Sequence, residues 1–235
     1  MRYMLHIASR WARLLLPACI LLAVGSERAL SKATDGQAPW VGETFWSTQC
    51  TGRAQGFGPY DYTLRSQLPD KLSIVEVAHF TPGVEHLTAG SRSSNPLADL
   101  DYTLSAWPNH HRALNTAIRA RLRNRDNYRS TGFTPAECYL QRAINFSPND
   151  DVTRMLYGLL QHRMGRLQDA LATYRTAEQL NPGNLQTQYN LGLLLTDLGK
   201  YDDAARYAQH VYARGFPLPG LRRRLQEKGY WPGAQ

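Results

Sequence analysis

His110 and His111 stand side by side ahead of five arginines in AWPNHHRALNTAIRARLRNR, residues 106–125. Imidazoles beside guanidinium groups can hold a metal, activate a nucleophile or grip an anion. Neighbouring positions on a helix diverge by about 100°, so the two rings do not readily share one ion. They read as hydrogen-bonding groups of a turn, with His110 near a helix start. His79 and His86 are near enough in the chain for a shared site, but hydrogen-bonded structural histidines are the default and no metal is assigned. Nucleophile chemistry lacks its motifs: there is no G-x-S-x-G, no Gly-rich phosphate loop and no HExxH, and Gly56-Phe57-Gly58 reads as a turn. Asp99 with Asp101 and Asp202 with Asp203 read as acids of helix beginnings or exposed faces. The expectation is a non-enzyme with no catalytic residues and no cofactor.

The arginines remain. Residues 112–129 carry Arg112, Arg119, Arg121, Arg123, Arg125 and Arg129 against Asp126 alone, a local charge of +5. Charge this concentrated belongs to one surface, either a solvated helix face or a grip for carboxylates and phosphates. Nucleic acid is not expected, because the chain shows no recognisable nucleic-acid-binding fold and reads as exported. The export reading rests on Arg2, Arg10 and Arg13 ahead of the apolar run LLLPACILLAV, residues 14–24, and the small residues after it. That layout is a signal peptide over 1–31, cut after Ser26 or, preferably, Ser31. Eleven helical residues span about 16 Å against a hydrocarbon core of about 30 Å, so no stable transmembrane span is expected. Lipoprotein processing at Cys19 is the rival, though Pro17 suits it poorly. A periplasmic location leads, with secretion or membrane attachment as alternatives. Removing 1–31 lowers the net charge from +8 to +5.

After that removal Cys50 and Cys138 are the two cysteines left, in an oxidising compartment. Both a bridge and two buried thiols that never meet are compatible with this. No CxxC or CxxCH spacing supports a metal or haem role.

Stepping along the chain reveals what must position these groups. DVTRMLYGLLQHRMGRLQDALATYRTAEQLNP, from Asp151, overlays the segment from Leu185 at an interval of 34 residues. Gly158 falls on Gly192, Leu160 on Leu194, Gly165 on Gly199 and Ala170 on Ala204. A repeat of that length means stacked helical pairs. Gly158, Ala170, Tyr174, Ala177 and Pro182 in the first copy resemble the tetratricopeptide repeat, and Leu191, Gly192, Leu195 and Ala204 match in the second. There Ala208 and Val211 replace the aromatic and the alanine, and Pro217 comes late, as suits the last copy of an array.

Reading backward, TPAECYLQRAINFSP supplies a second helix whose first helix is HHRALNTAIRARLRN, with a six-residue insertion in the exposed loop RDNYRSTGF. A degenerate copy, FTPGVEHLTAG with LADLDYTLSAW, precedes it. The expected organisation is repeats over 80–108, 109–150, 151–184 and 185–216, then a capping helix and tail over 217–235. Residues 32–79 form an irregular or hairpin-containing cover in which LSIVEVAHF reads as a short strand. The resemblance implies an all-α, right-handed superhelical solenoid of three to four helix pairs.

On the helix from His111, Leu114, Ala117, Ile118 and Leu122 form the apolar stripe, while Arg112, Asn115, Arg119 and Arg123 share another. First helices of this family line the concave surface, so the resemblance implies that this stripe faces the groove. The equivalent stripes are Val152, Met155, Leu159 and His162, then Gln186, Tyr189, Leu193 and Thr196. The expected activity is binding of a partner protein or peptide carrying acidic groups, through Arg112, Asn115, Arg119, Arg123, Met155, His162, Tyr189 and Leu193, in envelope assembly or scaffolding. The other reading is glycan binding by Trp40, Phe45, Trp46, Phe57, Tyr60 and Tyr62, against buried caps as the ordinary role of such residues.

Overall fold

The 34-residue period is realised as antiparallel helix pairs in the computed structural model, which describes residues 37–231. The signal-peptide reading of 1–31, with Cys19, Ser26 and Ser31, lies outside those residues. The helices are α1 Pro69–His79, α2 Pro82–His86, α3 Pro96–Ala106, α4 His111–Arg123, α5 Ala136–Phe146, α6 Asp151–Arg163, α7 Leu167–Leu180, α8 Leu185–Asp197, α9 Tyr201–Ala213 and α10 Gly220–Glu227. Two 3-10 turns, Tyr62–Gln67 and Tyr128–Thr131, complete the helical structure. The pairs α4/α5, α6/α7 and α8/α9 stack in chain order.

Local chemistry repeats with the period. Asp150 caps α6 by accepting from the Thr153 amide at 3.1 Å, and Asn184, 34 residues on, caps α8 by accepting from Gln186 at 3.0 Å and Thr187 at 3.2 Å. At the other ends Gly165 and Gly199 take φ of +81° and +71°, a backbone region that costs glycine nothing, and turn the chain into α7 and α9. Between paired helices the small residues permit close approach. A Cβ added to Gly158 would sit 2.7 Å from the ring of Tyr174, which is itself fully buried.

The last copy departs from the first for a reason visible in packing. Ala208 stands where the first copy has Tyr174, and the space over Gly192 is taken by Leu221 of α10, whose Cδ2 would lie 2.4 Å from an added Cβ. Leu221 and Leu225 are buried against the α8/α9 pair while Arg222, Arg223 and Arg224 stay outside. The capping helix thus replaces an aromatic that the repeat gave up.

The first pair departs further. FTPGVEHLTAG yields only the five-residue α2, ended by Leu87 at φ +59°, and α1 joins it against α3. LSIVEVAHF is helix, not strand. Pro69 and Asp70 start it, and Leu72, Val75, Glu76 and His79 turn inward at three- and four-residue steps. Ile74 and Val77, part of the β-branched run behind the strand reading, are 59% and 75% exposed. Among the described residues, extended pairing is limited to one antiparallel bridge, Glu43 with Gln49.

The stretch 37–60 lies along α3 and α5. Arg142, about 1% exposed, ties it down by donating to the carbonyls of Ala38 (2.7 Å) and Leu104 (2.8 Å) and to Gln55 Oε1 (2.7 Å), beneath the ring of Trp40. Burial lowers its pKa to about 10, so it is cationic at neutral pH. Cys50 and Cys138 are bridged, closing a separation of 88 residues onto the same helix. The insertion is mostly exposed, as its composition suggested, apart from Tyr128, which is buried against Arg121.

Gly158→Val should force the Tyr174 ring aside and cost about 1–3 kcal/mol, read as a melting temperature lower by roughly 2–10 °C. Reducing the Cys50–Cys138 bridge, or replacing both cysteines by serine, should lower stability by about 2–5 kcal/mol, because the loop it closes is long. Denaturant midpoints with and without thiol read this directly, and coincident midpoints would show that Arg142 and its neighbours hold the segment unaided.

Candidate functional site: the inner wall

Curvature follows from which helices touch. Successive first helices meet, α4 with α6 and α6 with α8, whereas the second helices α5, α7 and α9 make far less contact with one another. The first helices therefore occupy the shorter, inner side of the stack. The polar contacts of the front segment run to Asp101, Ser105, Arg142, Gln141, Glu137 and Thr134, on α3, α5 and the loop before α5, and its Trp46 ring reaches Arg121 of α4.

Two comparisons with known proteins found a match. Residues 131–211, less than half of the chain, match the family model described as anaphase-promoting complex, cyclosome, subunit 3, whose repeats are of tetratricopeptide type. Residues 131–211 are thus similar to repeats of tetratricopeptide type. Among solved structures, the crystal structure of MamA protein is similar at 16% identity over 73% of this chain and 82% of that one, with a TM-score of 0.42. No curated protein matches.

The tetratricopeptide wall is not a row of free side chains. Arg112 grips Glu85 of α2 with a fork, Nε to Oε1 at 3.0 Å and Nη2 to Oε2 at 2.5 Å, and reaches Glu76 at 3.4 Å. Arg119 donates to the carbonyl of Glu85 at 2.5 Å and Arg123 to that of His86 at 3.4 Å. A five-residue helix leaves its last carbonyls without intrahelical partners and ends in a negative dipole, and these arginines meet both needs. The Arg112 hydrogen bond holds the Glu85 carboxyl below the ordinary range against the opposing pull of burial. Asn115 is exposed.

Further along, two of the expected contact residues are core. Met155 is 8% exposed and its sulfur accepts from Asn190 Nδ2 at 3.2 Å. Tyr189, 6% exposed, lies against Phe216 with ring centroids 4.7 Å apart. The seam between adjoining first helices takes in the one, and the chain leading to α10 covers the other. His162 is half-buried and bonded to Asp197 at 2.7 Å, and Leu193 is half-buried in the carboxy-terminal cluster. Val152, Leu159 and Leu193 are partly buried against the core, while Asn115 and Arg163 are exposed.

The histidines tie helix to helix. His79 bonds Asp99 at 2.8 Å, His110 bonds Glu76 at 3.0 Å, and His111 bonds Asp150 at 2.9 Å, each across two different elements. Partners 20 to 39 residues away carry no spacing signal, which is why the sequence did not show them. Among the described residues no three His, Cys, Asp or Glu side chains gather as metal ligands. Of the amino-terminal aromatics, Tyr60 and Tyr62 pack on Trp107, Phe57 on Tyr60, and Phe45 under Arg166. Trp40 lies against Tyr139 and Arg142, and Trp46 against Arg121 and Arg129. Their faces are engaged within the chain instead of forming a shared platform for sugar.

His110 couples the fold to acid. Wholly buried, it caps α4 by accepting the Ala113 amide on Nδ1 at 3.2 Å, so its proton sits on Nε2, facing Glu76. Protonating Nδ1 would destroy the cap. Burial lowers its pKa, with Glu76 pulling the other way and Arg112 and His111 adding to the depression. Asp150 is also below its ordinary value: burial alone would raise it, but donors from His111 and Thr153 outweigh burial. Both groups bind fewer protons folded than unfolded, so stability falls with pH, first below the ordinary histidine value of about 6.5 and again below about 4. His110→Asn keeps a capping oxygen without a titrating ring and should flatten the upper limb of that loss. Chemical melts from pH 7.5 to 4.5 check it, and parallel curves for both proteins would remove His110 from the account.

Proposed function

We propose that the chain is an exported module that binds a partner protein or peptide along the inner wall of its repeats, with a role in envelope assembly or scaffolding. The observation that supports the reading is that the first helices meet along one side of the stack while the polar contacts of the stretch 37–60 run to α3 and α5. The repeat fold is a protein-interaction architecture, and stacked pairs present an extended surface in place of a cleft. An apolar strip of Val152, Leu159 and Leu193 edged by Asn115, Arg112 and Arg163 suits an extended segment mixing nonpolar and acidic side chains. The charge available for the latter is smaller than the sequence suggested, because Glu76 and Glu85 already answer Arg112. Export to the periplasm rests on the charge, apolar and small-residue pattern of 1–31. Among the described residues no helix is long and apolar enough to cross a membrane.

Photo-crosslinking residues placed at Asn115 and Arg163 should capture one common partner from envelope extract, and the same residue at Gln179 of α7 should not. Asn115→Glu should reduce capture through position 163 with little change in melting, since exposed substitutions cost within about 0.5 kcal/mol. Capture confined to position 179 would place the binding surface on the outer helices and refute the inner wall.

A further inference from the structure

The seam between α9 and α10 carries a row of aromatic side chains that sealing the array does not require. Gly229, at φ +77°, turns the chain after α10, and the Tyr230 amide donates to the Leu225 carbonyl at 2.8 Å. Tyr230 then lies against Tyr201 of α9 with ring centroids 4.9 Å apart, and Trp231 meets Tyr212 at 5.8 Å. The Arg222 guanidinium sits over Tyr212 at 4.3 Å and reaches Trp231 at 5.9 Å. The Tyr212 hydroxyl donates to the Leu218 carbonyl at 2.9 Å and accepts from the Arg222 amide at 3.0 Å. The row stays open to solvent: Leu218 and Tyr230 are 46% and 43% exposed, and Tyr201, Tyr212 and Trp231 are half-buried.

Positive charge surrounds it, even with every pair counted. Residues 197–231 hold seven arginines and lysines and four carboxylates. Arg206 answers Asp203, and Arg224 answers Asp197. Lys200, Arg214, Arg222, Arg223 and Lys228 then remain against Asp202 and Glu227, all of them exposed, a surplus of three positive charges. On α10 itself Leu221 and Leu225 take the inward side, so Arg222 and Arg223 share the outward one.

We propose that this end of the stack docks on an anionic phospholipid surface, with Leu218, Tyr230 and Trp231 entering the headgroup layer and Arg222, Arg223 and Lys228 meeting lipid phosphates. Tyrosine and tryptophan pair an apolar body with a polar tip and settle at the membrane–water boundary. Cations beside them add attraction to anionic headgroups, and the two together bind a helix flat on the surface. An acidic protein would need guanidinium forks gathered at fixed points, whereas here the cations are spread along α10 and its tail. A fluid layer of headgroups needs no such register. This surface stands apart from the inner wall and does not depend on a partner there.

The test uses the chain from Lys32, which keeps every described residue and removes the apolar run 14–24, itself able to bind lipid. It is sedimented with vesicles of phosphatidylcholine, with or without roughly a third phosphatidylglycerol. Partitioning should be at least about tenfold stronger onto the anionic vesicles and should fall as salt rises. Replacing Arg222, Arg223 and Lys228 by glutamine should weaken it by at least about tenfold, while the same change at Arg123, Arg125 and Arg129 removes equal charge and should leave it within about twofold. Brominated lipid should quench tryptophan emission in the wild type and not in Trp231→Phe, which keeps an aromatic ring. The three substituted side chains are exposed, so melting should stay near wild type; should the triple variant fail to fold, Arg223→Gln with Lys228→Gln gives the same comparison. Asn115→Glu on the inner wall should leave partitioning unchanged, which separates this surface from that one. Equal partitioning onto both vesicles, unchanged partitioning in the α10 variants, quenching that persists in Trp231→Phe, or capture of polyglutamate without any vesicle binding would each overturn the proposal.

Discussion

A pair of short antiparallel helices cannot bury its own apolar face, and every feature of this structure answers that constraint. In the middle of the array the answer is another pair, set down 34 residues later with the same caps and the same glycine turns. At the carboxyl end the answer is α10, which inserts Leu221 where an aromatic of the repeat is missing. At the amino end no regular pair is available, and a stretch of irregular chain is laid over α3 and α5 instead. The three closures use different chemistry because they meet different surroundings.

The amino-terminal closure is the polar one. An apolar cover can slide, since dispersion and hydration are nondirectional. Here the cover is fixed by groups with strict geometry: Arg142 under the carbonyls of Ala38 and Leu104, Asn109 between Asp61 and Asp150, and Gln141 on the carbonyl of Glu43. Burying arginine is expensive unless its donors are used, and Arg142 uses three of its nitrogens and the face of Trp40. It has no carboxylate in hydrogen-bond reach, so backbone dipoles carry its charge. The Cys50–Cys138 bridge makes the attachment to α5 covalent.

What could be read in the sequence follows from the range of the forces involved. Helices α5 to α9 were legible because caps, glycine turns and apolar spacing act within a few residues and recur at a fixed interval. The capping helix was legible for the same reason. LSIVEVAHF was misread because the β-branched Ile74, Val75 and Val77 favour a strand; the outcome turned on Pro69 and Asp70 upstream and on Val75 packing against the Trp107 cluster. The short α2 could not be foreseen from its cap, since its length is set by Leu87 adopting a left-handed conformation. Of the candidate wall, the position of the stripe on α4 was legible from spacing, while the loss of Met155 and Tyr189 to the interior depended on neighbours 27 to 35 residues away.

The arginine run shows how little a charge cluster says about partners before its surroundings are known. Six arginines within eighteen residues share no single task. Arg112, Arg119 and Arg123 finish the short α2, and Arg121 is sealed inside with Glu137. Arg123, Arg125 and Arg129 keep most of their donors, and the last two do so in the insertion that breaks the repeat. The repeat itself is constrained at nearly every position by stacking, so surplus chemistry can accumulate only where the period is interrupted or the array stops. Individual character in this protein therefore belongs to the loop before α5, the segment bridged to it and the outer face of α10, while the repeat helices supply the frame that holds them together.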